Sequence, residues 1–148
     1  MKATIVIASM TGNDEDLAEI LSDDLENEGF EVESNDVSFA DATDYLTSDL
    51  CIFVTYTYGE GAMTDEVADF YAQLKTLNLK NKYFAVMGSG DKSYRDHYCE
   101  TVDDFENVFK ACGAKSIMKP LKIENSVDEA DIAQIDACAK EIKQAINA

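Results

Sequence analysis

The chain has 148 residues, of which 46% are hydrophobic, and one proline and seven glycines leave no room for a long flexible linker. These values predict a single domain over residues 1–148 with a buried core. The net charge of −18 argues against nucleic acid as a partner, because binding it depends on neutralising phosphates, and the apolar runs are too short to span a membrane.

The charge is unevenly distributed between the two halves of the chain. Residues 1–74 contain one basic residue, Lys2, and 18 acidic residues, for a net charge of −17. Residues 75–148 contain 11 basic and 12 acidic residues, for a net charge of −1. Opposite electrostatic fields accelerate protein encounter, so the acidic half predicts partners with a basic surface. The alternative is that the acids only keep the protein soluble.

In chain order, the hydrophobic pattern alternates between strand and helix. Apolar and alternating runs predict strands over residues 2–8, 30–37, 50–55, 83–88 and 115–123. Helical spacing predicts helices over residues 14–28, 42–48, 65–77, 101–112 and 128–146, of which 42–48 is the weakest. This alternation predicts a doubly wound α/β fold, a five-stranded parallel sheet with helices on both faces.

Three of these helices place apolar residues on one face, which we expect to pack against the sheet. The inward residues are Leu17, Ile20, Leu21 and Leu25, then Val67, Phe70, Tyr71 and Leu74, and finally Ile132, Ile135, Cys138, Ala139 and Ile142.

The remaining sequence signals concern the cysteines and the N-terminus. Cys51, Cys99, Cys112 and Cys138 form no CxxC pair and no zinc-ligand spacing, and the chain has one histidine. We therefore expect reduced, mostly buried thiols and no metal site. Residues 1–4 lack the apolar stretch and cleavage site of a signal peptide, which predicts a cytoplasmic protein.

In a doubly wound sheet, a ligand binds at the carboxyl ends of the strands, where the strand order reverses. The loops to examine therefore follow the first, third and fourth strands, at residues 9–15, 56–62 and 88–99.

The first loop is a candidate phosphate site at the start of a helix. Backbone amides from Met10 to Asn13 can converge there, and the helix dipole favours an anion. Ser9 and Thr11 add hydroxyl donors, Asn13 adds an amide, and Gly12 allows a close turn. The alternative is that these residues are ordinary helix caps.

The second and third loops each combine an aromatic residue with glycine. The second contains Tyr56, Thr57, Tyr58 and Gly59, and the third runs from Gly88 to Tyr94. Tyrosines from two loops could enclose a planar ring system, whereas the alternative for each loop alone is a surface turn.

Together, the three loops resemble those of the short-chain flavodoxins, and the resemblance extends along essentially the whole chain. The phosphate-loop pattern Ser/Thr-x-Thr-Gly-x-Thr is matched by Ser9, Thr11, Gly12 and Asn13, with Asp14 in place of the last Thr. The second-loop aromatic–Gly pair is matched by Tyr58 and Gly59, and the pattern Gly-x-Gly-Asp-x-x-Tyr by Gly88, Gly90, Asp91 and Tyr94. Cys99 stands where the family often has a cysteine beside the flavin.

The resemblance implies a flavodoxin-like strand order of 2-1-3-4-5; flavodoxin is itself one of the examples behind the strand-order rule. It also implies non-covalently bound FMN and a monomeric, low-potential one-electron carrier without catalytic residues or metal. The implied partners are redox proteins, for example a flavodoxin reductase and oxidoreductase acceptors. The implied FMN-binding residues are Ser9, Met10, Thr11, Gly12, Asn13, Asp14, Tyr56, Thr57, Tyr58, Gly59, Ser89, Gly90, Asp91, Tyr94 and Cys99. The resemblance assigns no role to His97 or Tyr98.

Two features bear on how the carrier would work. The Gly59–Glu60 peptide is the candidate to turn a carbonyl toward flavin N5 on reduction, because Gly59 tolerates a positive φ. Nearby carboxylates would make the second reduction step more reducing by repelling added negative charge. Asp14 is the anomaly of the phosphate loop, and we expect it to turn outward and cap the helix. Asp14→Thr should then tighten FMN binding.

Three other functions are compatible with parts of the pattern. One is a flavodoxin-like activator of ribonucleotide reductase, and another is an FMN-dependent quinone or nicotinamide reductase, although the acidic half offers no basic pocket for a dinucleotide phosphate. The third is a phospho-accepting receiver domain, which shares the sheet architecture. Against it, the third predicted strand ends in Thr55 and Tyr56 rather than in a phosphoacceptor aspartate.

Overall fold

The computed structural model describes residues 1–8, 13–57, 63–92, 99–124 and 127–147. The strands are β1 Lys2–Ala8, β2 Glu31–Asp36, β3 Leu50–Tyr56, β4 Tyr83–Gly90, β5 Lys115–Ser116 and β6 Leu121–Glu124. The helices are α1 Asn13–Asn27, α2 Asp65–Leu74, α3 Glu100–Ala111 and α4 Glu129–Asn147, with a 3₁₀ helix at Ala42–Thr47. The alternation of strand and helix along the chain is thus as predicted.

The strands form one parallel sheet in the order β2-β1-β3-β4-β5, with β6 also paired to β4. This arrangement confirms the predicted doubly wound sheet and its 2-1-3-4-5 order. The strand predicted over 115–123 is divided into β5 and β6, which both pair with β4 along the same edge. Pro120 lies in the gap, and because proline has no backbone N–H it cannot donate to the ladder there.

The second helix of the alternation is a single 3₁₀ segment, consistent with its weak pattern. Its start is fixed by a capping box: the Asp41 side chain accepts from the Thr43 amide, and the Asp44 side chain accepts from the Asp41 amide. The buried Tyr45 anchors the segment to the sheet, because its hydroxyl donates to the carbonyl of Ile52 over 2.7 Å.

The sheet separates two hydrophobic cores. One core lies under the 3₁₀ helix, α2 and α3, and its aromatic rings include Phe53 stacked on Phe105 with 3.9 Å between ring centroids. The other lies under α1 and α4 and is mostly aliphatic, with Leu17, Leu21 and Ile135 among its members. Helices therefore cover both faces, as predicted, and α1 and α2 lie on opposite sides.

The predicted inward residues are buried or half-buried with one exception. Ile132 is 39% exposed, so its prediction as an inward residue is wrong. It lies in the first turn of α4, and the helix first reaches the core one turn later, at Ile135.

All four cysteines are free and buried. Burial raises the pKa of the Cys51 thiol to about 12 and also raises the pKa values of Cys112 and Cys138. These three thiols are therefore protonated at neutral pH, as expected for structural cysteines. Among the described residues, no helix is both long and apolar enough to cross a membrane.

Candidate functional site

The strand register brings the carboxyl ends of the central strands to one level. Ala8 at the end of β1 is opposite Thr55 in β3, and Tyr56 at the end of β3 is opposite Ser89 in β4. Gly90, the last residue of β4, is opposite Glu124 in β6. We call the ends of β1, β3 and β4 the carboxyl edge, where the three predicted loops begin. The strand β4 extends to Gly90, so the prediction that residues 88–90 belong to the third loop is wrong.

The carboxyl edge includes the point where the strand order reverses. β1 lies between β2 and β3 in the sheet. After β1 the chain enters α1 on the aliphatic face, whereas after β3 it enters α2 on the aromatic face. Chains that leave two adjacent parallel strands toward opposite faces open a crevice between them, and ligands of doubly wound proteins bind in that crevice.

Many predicted site residues lie outside the described part of the chain, so their roles stay predictions. These are Ser9, Met10, Thr11, Gly12, Tyr58, Gly59 and Tyr94, together with the Gly59–Glu60 peptide and the unassigned His97 and Tyr98. The described predicted residues all lie at the carboxyl edge or at the helix starts beside it. They are Asn13, Asp14, Tyr56, Thr57, Ser89, Gly90, Asp91 and Cys99.

Asp14, the second residue of α1, is fully buried at 0% exposure. Its Oδ1 accepts a hydrogen bond from the hydroxyl of Ser89 at the end of β4, over 2.7 Å. Its Oδ2 is also buried and has no hydrogen-bond partner among the described residues. The expectation that Asp14 turns outward to cap α1 is therefore wrong: the side chain spans from the helix to the sheet, where Ser89 supplies a partner.

Burial also changes the acidity of Asp14. Desolvation is the largest cause and raises the pKa of this carboxyl from 3.8 to about 7, with a smaller increase from the charge of Glu15. The hydroxyl and the backbone amide of Ser89 lower the pKa by hydrogen bonding to the carboxylate, but they offset the desolvation only in part. At neutral pH, Asp14 is therefore divided between its charged and neutral forms.

Thr57 connects the end of β3 to two neighbours. Its backbone amide donates to the Ser89 carbonyl over 3.1 Å, and its buried hydroxyl accepts from the Thr101 amide over 3.1 Å. The hydroxyl thus satisfies one of the free amides in the first turn of α3. The Thr57 side chain holds α3 against the carboxyl edge, and its hydroxyl keeps its own O–H as a donor.

Gly90 and Cys99 form a close backbone contact where α3 begins. A Cβ on Gly90 would lie 3.0 Å from the Cys99 nitrogen and 3.1 Å from its sulfur, so a side chain there would require Cys99 to shift. Cys99 itself adopts the left-handed conformation, with φ of 52°. Its buried sulfur faces the carbonyls of Gly88 and Ile123, each at 4.0 Å. The thiol is therefore directed at the sheet.

The sequence did not identify Thr101 as a site residue. Its hydroxyl is buried in the first turn of α3 and has no hydrogen-bond partner among the described residues. A threonine in the first turn of a helix that follows a glycine- and serine-rich loop is the signal that could have drawn attention to it.

The residues at the carboxyl edge fit a ligand that has an anionic group. The start of α1 offers backbone amides and a helix dipole, both of which favour an anion. The free oxygens of Asp14 and Thr101 leave two buried polar atoms that a polar ligand could satisfy. Within the described residues, no group of three or more potential metal ligands is found.

Comparison with known proteins gives consistent matches over nearly the whole chain. The family model for flavodoxin matches residues 5–141. The protein named probable flavodoxin 1 of Bacillus subtilis strain 168 is 36% identical over 123 residues, which is 83% of this chain and 77% of that protein.

Two solved structures match both the fold and the sequence. The flavodoxin of Streptococcus pneumoniae TIGR4 superimposes with a TM-score of 0.93 at 42% identity, covering 97% of this chain and 99% of that one. A short-chain flavodoxin associated with a non-canonical PDU bacterial microcompartment superimposes with a TM-score of 0.94 at 38% identity, covering 97% of both chains.

Proposed function

This chain belongs to the flavodoxin family and is an FMN-binding electron carrier rather than an enzyme, and we propose that it holds FMN in the crevice at the carboxyl edge. The observation that supports this placement is the convergence of β1, β3 and β4 with the start of α1. The family match gives no support to the activator, reductase or receiver functions.

The proposed site divides into a phosphate seat and a ring seat. Residues 9–13, with the hydroxyls of Ser9 and Thr11, bind the phosphate at the start of α1, as anions bind at helix N-termini generally. Tyr58 and Tyr94 enclose the isoalloxazine ring, and the backbones of residues 56–59, 89–91 and 99 lie along it. Bound FMN supplies the one-electron chemistry, while the chain binds it, orients it and excludes water.

We propose that acidic residues keep the potential of the carrier low. All three helices that begin at the carboxyl edge have acids in the first turn. These first-turn acids include Glu15, Asp16, Asp65, Glu66, Glu100 and Asp103. Carboxylates there raise the energy of negative charge added to a ligand in the crevice, most strongly at low ionic strength. A midpoint titration should give a second reduction step that becomes less negative as salt is added, and an unchanged midpoint would contradict the proposal.

The phosphate seat is tested by comparing FMN with riboflavin, which lacks the phosphate. The full-length chain, freed of flavin, should bind FMN at least tenfold more tightly than riboflavin. Thr11→Ala should weaken FMN binding and leave riboflavin binding unchanged. Ser22→Ala, which removes a hydroxyl from the middle of α1, is the matched control and should change neither. Equal affinities for FMN and riboflavin would overturn the proposed seat.

Flavodoxin-like proteins pass electrons to redox partners such as reductases. For this chain, we propose partners with a basic surface that dock at the carboxyl edge over the first-turn acids. Phe39, which is 87% exposed in the turn after β2, adds an apolar contact beside them. Attraction between opposite surfaces makes association fast at low salt and slower as salt is added.

The docking proposal is tested with paired charge removals. Asp65→Asn with Glu66→Gln removes two exposed carboxylates at the carboxyl edge and should slow reduction by a flavodoxin reductase at low salt. Glu26→Gln with Glu28→Gln removes the same charge at the far end of α1 and should have a smaller effect. Equal slowing by both pairs would show that net charge, and not a docking surface, sets the rate.

We propose further that residues 1–148 form one domain and that the protein is monomeric and cytoplasmic. The two cores cover opposite faces of one sheet, which supports a single folding unit. Four free, buried thiols suit a reducing compartment. Size-exclusion chromatography with light scattering, a single cooperative unfolding transition and cell fractionation test these three statements separately.

A further inference from the structure

The carboxyl of Asp14 is a buried titratable group at the helix start where we place the phosphate of FMN. One of its oxygens is held by the Ser89 hydroxyl at 2.7 Å, and the other is buried without a partner among the described residues. An ionised carboxylate in this position would be buried, partly unpaired and adjacent to a phosphate. Each of these conditions disfavours its negative charge.

Protonation of the Asp14 carboxyl removes the buried negative charge and its repulsion by the phosphate. A carboxylic acid is neutral, and its O–H is a donor, whereas a carboxylate only accepts hydrogen bonds. Because Oδ1 already accepts from Ser89, the proton belongs on Oδ2, the oxygen that lacks a partner. A phosphate oxygen is a strong acceptor for such a donor.

We propose that Asp14 contributes to the phosphate seat as a neutral carboxylic acid that donates a hydrogen bond from Oδ2, so that FMN binding above neutral pH takes up one proton from solvent. This inference rests on the proposed placement of FMN. It assigns to an acidic residue the donor role that hydroxyls and amides fill in the rest of the seat.

Among the described residues, few groups near Asp14 could replace this proton. Within α1, Glu15 is the charged neighbour that acts on the carboxyl, and it raises the pKa. β4 contributes the uncharged Ser89. The hydrophobic residues packed under α1 include Ile5 of β1, Val54 of β3, Met87 of β4 and Ile135 of α4, with Val32 of β2 partly buried.

The other acidic contact of α1 is farther along the helix. Asp24 interacts with Asp136 and Lys140 of α4, ten residues beyond Asp14 and so roughly 15 Å away along the helix axis. Of the titratable groups that the structure describes near the phosphate seat, Asp14 is the one to which we assign its pH dependence.

The size of the change in FMN affinity with pH follows from the pKa of Asp14 in the FMN-free protein. With a pKa of about 7, roughly half of the Asp14 carboxyls are protonated at pH 7 and about one in eleven at pH 8. If only the protonated form binds the phosphate, the apparent dissociation constant at pH 8 is about tenfold weaker than at pH 6. The bound phosphate adds negative charge and raises the pKa of Asp14 further.

The experiment measures FMN affinity and proton uptake with the full-length chain freed of flavin. Calorimetric titrations at pH 6 and pH 8, in buffers of different ionisation enthalpy, give both quantities. The phosphate monoester itself titrates near pH 6, so Asp14→Asn provides the background. The Asn amide donates at every pH, and this variant should bind FMN about tenfold more tightly than the wild type at pH 8 and equally at pH 6. Wild type should take up nearly one more proton than Asp14→Asn at pH 8.

Two controls isolate the buried carboxyl. Glu15→Gln removes an exposed carboxylate from the same helical turn and should keep nearly the full proton uptake. Riboflavin offers no phosphate, so its binding to the wild type should take up no proton at pH 8. This second control needs no variant and still applies if Asp14→Asn fails to fold.

Each outcome has a distinct meaning. Equal proton uptake by wild type and Asp14→Asn, or equal uptake with FMN and riboflavin, overturns the inference and leaves the FMN site in place. Failure of the wild type to bind FMN at either pH overturns the proposed site and this inference with it.

Discussion

Two acidic residues of α1, Asp14 and Asp24, both have a raised pKa, but their hydrogen-bond partners differ. The pKa of Asp14 is raised to about 7, first by desolvation, with an uncharged hydroxyl as its partner. The pKa of Asp24 is raised to about 6, also first by desolvation. A hydrogen bond to Asp136 and the charge of Asp136 raise this pKa further, whereas the charge of Lys140 lowers it. On one helix, Asp14 near the start thus faces the carboxyl edge, and Asp24 near the end faces another acidic residue.

The comparison shows that a raised pKa alone does not indicate a binding residue. Structural carboxyl pairs also perturb pKa values, so position must decide between the two cases. Asp14 lies at the carboxyl edge, where strand order reverses, whereas Asp24 lies farther along α1 and interacts with Asp136 of α4. Of these two residues, only Asp14 should alter FMN binding when it is changed, and the following experiments test this distinction.

A large effect is expected for the stability of the FMN-free Asp14→Asn variant. The folded pKa of Asp14, about 7, exceeds the usual value of 3.8, so the folded chain binds more protons between these values, and its stability falls as pH rises from about 4 to about 7. Asparagine has no charge to bury and should raise the free energy of unfolding at pH 8 by about 1–3 kcal/mol. This is below the about 4 kcal/mol that three pKa units represent, because the Asn amide also lacks a partner.

Urea denaturation from pH 4 to pH 8 checks this prediction. The advantage of Asp14→Asn should disappear toward pH 4, where wild-type Asp14 is neutral in both the folded and the unfolded chain. An advantage that is independent of pH would show that packing, and not ionisation, is responsible.

Removing the partner of Asp14 should have the opposite sign. Ser89→Ala takes away the hydroxyl donor and should destabilise the protein by about 1.5–3 kcal/mol at pH 8, where the bond is to a charged group, and by less at pH 5.5. Ser38→Ala is the matched control, because its hydroxyl donates to Asp36 over 2.6 Å at the exposed surface. Its effect should stay within about 0.5 kcal/mol. Equal losses in the two variants would show that burial does not strengthen the Asp14 bond.

Asp14→Thr tests the donor role directly. A hydroxyl donates without first binding a proton, so this variant should bind FMN about tenfold more tightly than the wild type at pH 8 and similarly at pH 6. The difference should be larger at low salt, where the repulsion between the wild-type carboxylate and the phosphate is less screened. Fluorescence titration of FMN measures it, and a variant that binds no more tightly at pH 8 would contradict the donor role.

The smallest effect is expected at Asp24. The folded pKa of about 6 lies above 3.8, so this group destabilises the folded chain as pH rises from about 4 to about 6. Asp24→Asn should therefore gain about 0.5–1 kcal/mol at pH 7.5, a modest amount because the site is partly exposed. Its FMN affinity should equal that of the wild type at every pH. A change in affinity as large as that of Asp14→Asn would remove the distinction between the two ends of α1.

The family fold was predictable because it depends on local patterns. The fully apolar run at 50–55 indicated a central strand, and helical spacing around Leu17 and Leu21 indicated a helix packed on one face of the sheet. Parallel strands joined by helices then place the loops after strands one, three and four at one edge. Two features were not predictable from periodicity: the division of the last strand at Pro120 and the exposure of Ile132. Both depend on how the strands and helices pack against each other, which periodicity does not specify.

What the sequence determined by itself was the order of elements and the edge at which they could bind a ligand, since hydrophobic period and turn residues act over a few neighbours. What only the tertiary structure decided was the state of the side chains at that edge. Asp14 meets Ser89 across 75 positions of the chain, and Thr57 meets Thr101 across 44. Desolvation depends on all the atoms that surround a group, so the burial that makes Asp14 a weak acid exists only after the strands and helices have packed.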